Sequence, residues 1–383
     1  MDSTLSSGGQ IFAPEQVERA RRYHRPAYLA RVAGIVLGLT ISGLLTFTRA
    51  GDELLGLVDG LPWWAETLAF AALVALVGSL VATPIAFWLG YLHERRWGFS
   101  TQSVRSWAWD RAKGVGIGLV LSALPMLGLI AAARVFETWW PLVAALGAAS
   151  ILLVVNFLAP VLLEPVFNDF SPLEDEVLAK ELRELANRAG VPVREVLVAD
   201  ASKRTKKHNA YVSGLGKTRR VVLWDTLLGR GRAGEIKLVV AHELGHRRFR
   251  HVAMWTGIAM VGSALFVVWL WALFHWDALL GAAGADDPAD PRIIPLVIFL
   301  GSLGELIVQP FALALSRRWE RDADRFSLEV TGDAPAYEEA HRNLALSNLG
   351  DLAPSRAAYL FFFSHPSAPE RLAAGRAWVA DHS

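Results

Sequence analysis

The chain has 383 residues, 53% of them hydrophobic and 15 of them Trp, with a mean hydropathy of +0.32, which is too apolar for an ordinary soluble protein. A formal net charge of +1 supplies no basic field for nucleic acid, and the absence of Cys excludes disulfides and thiolate metal sites. Apolar runs long enough to cross a bilayer occur at about 28–48, 67–91, 114–133, 139–163, 252–274 and 293–315, which predicts six spans. The first is too long for a signal-peptide core and is followed by no small-residue cleavage site, so it is expected to stay in the membrane.

Residues 1–27 are polar, with a helix expected near Gln16 to Arg22, and carry no motif. Spans one and two have no charge at their centres and read as helix-packing elements, with Gly34, Gly38 and Gly43 allowing close approach. The loop after span two runs from Glu94 through Trp97, Gly98 and Phe99 to Gln102, a composition that suits a membrane interface. Lys and Arg set the orientation. Arg19, Arg21, Arg22, Arg25 and Arg31 precede span one, and Arg95, Arg96, Arg105, Arg111 and Lys113 follow span two, whereas the alternate loops hold only Arg49, Arg134 and Arg292. The basic segments are cytoplasmic by the positive-inside rule, which places both termini, the 164–250 segment and the 316–383 tail on that side.

After span four the character becomes that of a soluble domain. Ser171-Pro172-Leu173-Glu174 has capping-box spacing and predicts a helix start, leading through Leu178, Leu182 and Leu185 to a stop at Gly190. Short strands are expected at Glu195 to Ala199, at Tyr211 to Val212 and at Arg220 to Trp224. The edge of such a sheet can hold an extended peptide by main-chain pairing, and Asn209-Ala210-Tyr211 is the candidate, against a plain surface turn after the basic run Lys203 to Lys207.

Ala241-His242-Glu243-Leu244-Gly245-His246 follows an apolar run with helical spacing, Ile236, Leu238, Val239 and Val240. Residues four apart share a helix face, so His242 and His246 aim two imidazoles at one point beside the Glu243 carboxylate. That arrangement suits one Zn2+ per chain, with Glu243 taking a proton from water activated by the metal. His251 lies five residues beyond His246 and on a continuous helix points elsewhere, as an interfacial histidine. The compact metzincin spacing fails, since Phe249 and Val252 stand where Gly and His would be required.

Span six continues into Ser316-Arg317-Arg318-Trp319-Glu320-Arg321-Asp322-Ala323-Asp324. Spans five and six must run antiparallel, and His246 and Glu320 each stand roughly 8–9 Å beyond the apolar boundary at about 1.5 Å per residue. Glu320 is therefore the expected third ligand, leaving a fourth position for water. Asp324 is either a solvated charge like Asp322 or an acceptor for the second ring N–H of a ligand histidine. Glu305, at membrane depth beside Gln309 and Pro310, should face a polar interior. The tail carries Ser364-His365-Pro366, by itself a turn before a helix; beside a metallopeptidase centre, His365 would be placed to stabilise an oxyanion.

Together these motifs resemble the integral-membrane zinc endopeptidases of the CAAX prenyl protease type, relatives of the HtpX-type membrane proteases. The resemblance runs from the Gly98-Phe99 loop to Glu370-Arg371, through Asn209-Ala210-Tyr211, Val222 to Leu228, His242 to His246 with His251, and Ser316-Arg317 through Asp324. It implies zinc ligation by His242, His246 and Glu320, Glu243 as base, and Asp324 as a supporting or proton-donating carboxylate. It further implies His365 near the substrate carbonyl, and substrate binding by Asn209, Ala210, Tyr211 and Arg371. The fold it implies is mainly α and multi-pass, six transmembrane helices around a chamber with a small cytoplasmic α+β zincin-like domain. The eukaryotic members have seven spans and the first has no counterpart in the six expected here, so the chamber wall is expected to be either more open or completed differently.

The expected organisation is a cytoplasmic segment 1–27, spans one to four within 28–163, the zinc peptidase domain 164–251, spans five and six within 252–315, and a cytoplasmic segment 316–383. The expected activity is hydrolysis of peptides or proteins, lipidated or not, at the membrane–cytoplasm boundary, with the bilayer as partner and no nucleic acid. A quality-control protease of the HtpX type is the alternative within that class. Outside it stand a catalytically silent scaffold and a transporter using Glu305.

Overall fold

The structure, a computed structural model, describes residues 11–214, 216–229 and 231–382, so the expected 1–27 segment lies outside the described residues as far as residue 10. Four long helices come first: α1 (Pro14–Phe47), α2 (Trp63–Phe87, extended by a π-helical turn Trp88–His93), α3 (Val104–Val135) and α4 (Trp140–Leu162). The α/β region follows, with β1 (Phe170–Pro172), α5 (Glu176–Arg188), β2 (Glu195–Ala199), β3 (Ala210–Ser213), β4 (Arg220–Trp224) and α6 (Ala233–Arg248). Then come α7 (His251–Leu273), α8 (Ile293–Thr331), α9 (Ala334–Ser347) and α10 (Ala368–His382). Among the described residues six helices, α1 to α4, α7 and α8, are long and apolar enough to cross a membrane, at the six expected places.

These six close into a ring. α1 packs on α2, α2 on α3, α3 on α4, α4 on α7, and α8 returns to α1, while α7 and α8 touch only slightly. A solid bundle would bury one face of every span, yet at most 22% of any apolar window is buried and none of that in α4. Among the described residues the large apolar core of the ring lies toward one end. There Phe70, Ile130, Leu270, Ile293, Ile294 and Leu296 form a core, and buried Arg292 pairs with Asp52 at 2.8 Å and donates to the Leu45 carbonyl at 3.0 Å. The α/β region sits at the opposite end.

Its sheet has the order β1-β2-β4-β3, with β2 and β4 parallel and the two edges antiparallel. The strands expected at Glu195 to Ala199 and Arg220 to Trp224 are β2 and β4, and the third extends beyond Tyr211 to Val212 on both sides. The expected helix start at Ser171 is instead β1, with Ser171 opposite Val198. The helix begins only at Glu176, capped by Asp175, whose Oδ1 accepts from the Leu178 N–H at 2.9 Å. An edge strand tolerates Pro172 because one side of it needs no ladder donor. α5 ends before Gly190 at φ +68°, as the glycine predicts. Leu182, Leu185, Val221, Leu223, Val240 and Leu244 make the core between sheet, α5 and α6.

One carboxylate moors this sheet to the ring. Glu164, just past α4, accepts from Ser213 Oγ at 2.8 Å, Tyr211 Oη at 3.3 Å and Arg220 Nη2 at 3.2 Å. The loop after α2 adds a second tie, since Phe99 is buried against Tyr23 and Lys207 pairs with Glu94 at 2.8 Å.

Candidate metal centre

α6 buries Ile236, Leu238, Val240, Ala241 and Leu244 and carries His242 and His246 on the side facing α8. α8 runs unbroken from the membrane through Glu320 to Thr331. The two helices meet at Gly245, where an added Cβ would lie 3.1 Å from Ala323 Cα and 3.1 Å from the Phe326 ring. This close approach brings imidazoles and carboxylate together. His242 Nε2 lies 3.2 Å from His246 Nε2, Glu320 Oε2 3.2 Å from the first and Glu320 Oε1 3.2 Å from the second. Adjacent ligands of a tetrahedral ion with bonds of about 2.0–2.1 Å stand about 3.3 Å apart. The three groups therefore fit a metal ion, and they form a possible metal-binding cluster among the described residues.

The far side of each imidazole is also occupied. His242 Nδ1 is 2.8 Å from Asp324 Oδ1, and Asp324 is approached in turn by Arg371 Nε at 3.0 Å and His341 Nε2 at 3.4 Å. Arg371 Nη2 donates to Glu320 Oε2 at 2.7 Å. His246 Nδ1 lies 2.9 Å from His251 Nδ1. The expectation that His251 points away assumed one continuous helix. Instead α6 stops at Arg248, Arg250 takes left-handed backbone at φ 59°, and α7 restarts at His251 with its ring turned back.

Electrostatically the carboxylates favour a positive charge on His242. Burial opposes a charge on His242, but Asp324 and then Glu320 outweigh it and raise its pKa to about 10. Glu243 is pushed above the ordinary carboxylate range, chiefly by burial. His341 goes the other way, down to about 4, again mainly by burial, with Arg371 adding to it.

His365 reaches the centre, its Nε2 3.4 Å from Glu320 Oε1, while its side chain is 59% exposed. The structure places Arg371 inside, bonded to Glu320 and Asp324. Asn209-Ala210-Tyr211 lies at and just before the start of β3, an edge strand. The Asn209 carbonyl accepts from Trp224 N–H at 3.1 Å, and the pairing alternates along the strand, so the N–H and C=O of Ala210 and Val212 face outward. Asn209 Oδ1 accepts from Ala210 N–H at 2.9 Å, and Arg247 Nε donates to the Val212 carbonyl at 3.2 Å, linking the edge to the helix that carries the histidines. Glu305 is exposed on α8, and Gln309 donates to the Phe361 carbonyl at 2.9 Å. His341 and Tyr337, both buried on α9 where it packs against α6, had no signal in the sequence beyond a histidine on an apolar helix face.

Comparison with known proteins identifies the family and the fold. The family model described as Peptidase family M48 matches residues 172–379, and that described as CAAX prenyl protease N-terminal, five membrane helices, matches residues 7–169. Four candidate spans occupy that second stretch here among the described residues. The chain is 32% identical over 310 residues to the uncharacterized metalloprotease YhfN of Bacillus subtilis, covering 80% of this chain and 72% of that protein. It is 28% identical over 331 residues to CAAX prenyl protease 1 of Saccharomyces cerevisiae, covering 81% and 72%. The crystal structure of S. mikatae Ste24p superposes with a TM-score of 0.81 at 24% identity, covering 95% of this chain and 89% of that one, a likeness of fold.

Proposed function

The chain belongs to peptidase family M48 and is an integral-membrane metalloprotease, and we propose that it is a zinc endopeptidase cutting peptides or proteins at the cytoplasmic face of the bilayer. One observation carries the reading: two imidazoles and a carboxylate, from separate helices, converge with all three edges at 3.2 Å. The donor set of two nitrogens and a carboxylate is that of catalytic zinc sites. His242, His246 and Glu320 would hold the ion, which when bound polarises a carbonyl and lowers the pKa of water.

The residues of the chain do the rest. Glu243, one residue past His242 on the same helix, takes the proton of the attacking water and delivers it to the leaving amine. His365 donates a hydrogen bond to the carbonyl oxygen as charge develops there. Asp324 accepts from His242 Nδ1 and fixes that ring, while Arg371 offsets the charges of Asp324 and Glu320. The outward Val212 N–H and Ala210 C=O can pair with an extended substrate, with Asn209 and Tyr211 flanking it.

The scaffold and transporter readings are not favoured, because the family is one of peptidases. Relatives are named for CAAX prenyl substrates, which makes prenylated peptides the first to try. The test is cleavage of a peptide library by the purified protein in detergent, with and without chelator, on prenylated and plain sequences. Chelator-sensitive cleavage is expected. A zinc-loaded protein that cuts none of them overturns the proposal.

A further inference from the structure

We propose that His251 is a positioning residue for the metal centre: it holds the His246 ring in the tautomer and orientation that turn Nε2 toward His242 and Glu320. This rests on the metal-centre reading above. The Nδ1 atoms of His246 and His251 are 2.9 Å apart, so one of them must carry a proton and the other accept it. A histidine that offers the Nε2 lone pair to a cation carries its proton on Nδ1. His246 is then the donor and His251 the acceptor, with the proton of His251 on its own Nε2.

The backbone is bent to make this contact. On an unbroken helix the fifth residue on is turned about 140° away. Here Arg250 adopts φ 59° and ψ 30°, a region that residues other than glycine rarely enter, and the break returns His251 to the ring it follows. Nor is the imidazole free to swing. It is 4% exposed and stacked on Trp319 with centroids 5.0 Å apart and planes at 7°. Trp319 immediately precedes Glu320, so His251 touches one ligand and the neighbour of another, joining α6 to α8.

The two ligand histidines thus have unlike supports. Behind His242 stands a carboxylate, behind His246 a neutral ring. A second carboxylate there would add another negative charge to a site that already holds Glu320, Asp324 and Glu243, and would weaken the ion as a Lewis acid.

His251→Phe keeps the stack on Trp319 and removes the acceptor; His251→Asn sets a carbonyl oxygen near the place of Nδ1. Zinc affinity of the purified full-length protein in detergent, read by chelator competition, should fall roughly 10–100-fold in the Phe variant and only a few-fold in the Asn variant. Thermal unfolding of the chelator-treated proteins checks that each is folded, and His251→Met serves as a second acceptor-free variant should Phe not fold. A Phe or Met variant with unchanged affinity overturns the proposal, as does an Asn variant that loses as much as they do. Wild-type protein that takes up no zinc overturns the metal-centre reading and this proposal together.

Discussion

Asp324 stands directly behind His242, its Oδ1 2.8 Å from Nδ1 on the side of the ring opposite the nitrogen that faces Glu320. An acceptor in that place fixes tautomer and tilt at once, and it raises the basicity of the ligand. Asp324→Ala is expected to lower zinc affinity roughly 10–100-fold, and Asp324→Asn less, since its carbonyl oxygen still accepts from Nδ1–H. Chelator competition on the purified variants measures both; an Ala variant with wild-type affinity would remove Asp324 from the centre.

In the proposed mechanism Glu243 has a part in the reaction and none in holding the ion. Glu243→Gln should keep its zinc by elemental analysis and lose roughly a hundred- to ten-thousandfold in kcat/KM. Its carboxyl is held high, first by burial and against the pull of His242 and His246. The basic form therefore disappears at a higher pH than in an exposed glutamate, and the acid limb of kcat/KM should lie above the ordinary value of about 4.3. A limb at or below that value contradicts the assignment.

His341 gives stability a pH dependence of known sign. Folded, it is lowered to about 4 by burial and Arg371. The unfolded chain titrates near 6.5. Between these values the unfolded state binds a proton that the folded state refuses. Stability is thus full above about pH 6.5 and falls as pH drops toward 4, by up to about 3 kcal/mol from this group alone. Unfolding midpoints measured from about pH 7 to pH 5 should fall less steeply in His341→Leu than in the wild type. Equal slopes would show that the group does not charge on unfolding.

Because the chain holds no Cys, single introduced thiols report its orientation cleanly. Asp286 and Glu174 are both exposed, the first between α7 and α8 and the second in the α/β region. In intact cells a membrane-impermeant maleimide should label Asp286→Cys, and Glu174→Cys only after permeabilisation. The inverse pattern would put the metal centre on the outside.

Much of this site could be read from residue spacing, because the relevant geometry is local. His242 and His246 fall on one face at any plausible helix boundary, and Glu320 follows from counting rise along two antiparallel spans. Where reading failed, a local rule met a competitor. Ser171, Pro172 and Glu174 satisfy a helix start, yet pairing with β2 claimed Ser171 and Asp175 made the cap. No Gly or Pro marks the break at Arg250, so the place of His251 was hidden. His341 depends on how α9 lies against α6, which no periodicity records. The ring was equally invisible, since hydropathy fixes where a span is but not which spans it touches.

Gly245 has a consequence for the whole arrangement. A glycine inside a helix gives up about 1 kcal/mol relative to alanine. Its missing methyl lets α6 rest on the backbone of α8 at Ala323. That contact acts as a gauge block between the imidazole rail and the carboxylate rail. A side chain there would be a shim, and a gap widened by a few tenths of an ångström already exceeds the roughly 0.2 Å tolerance of metal–ligand bonds. A residue that meets neither ion nor peptide therefore governs whether the three ligands can close on one point.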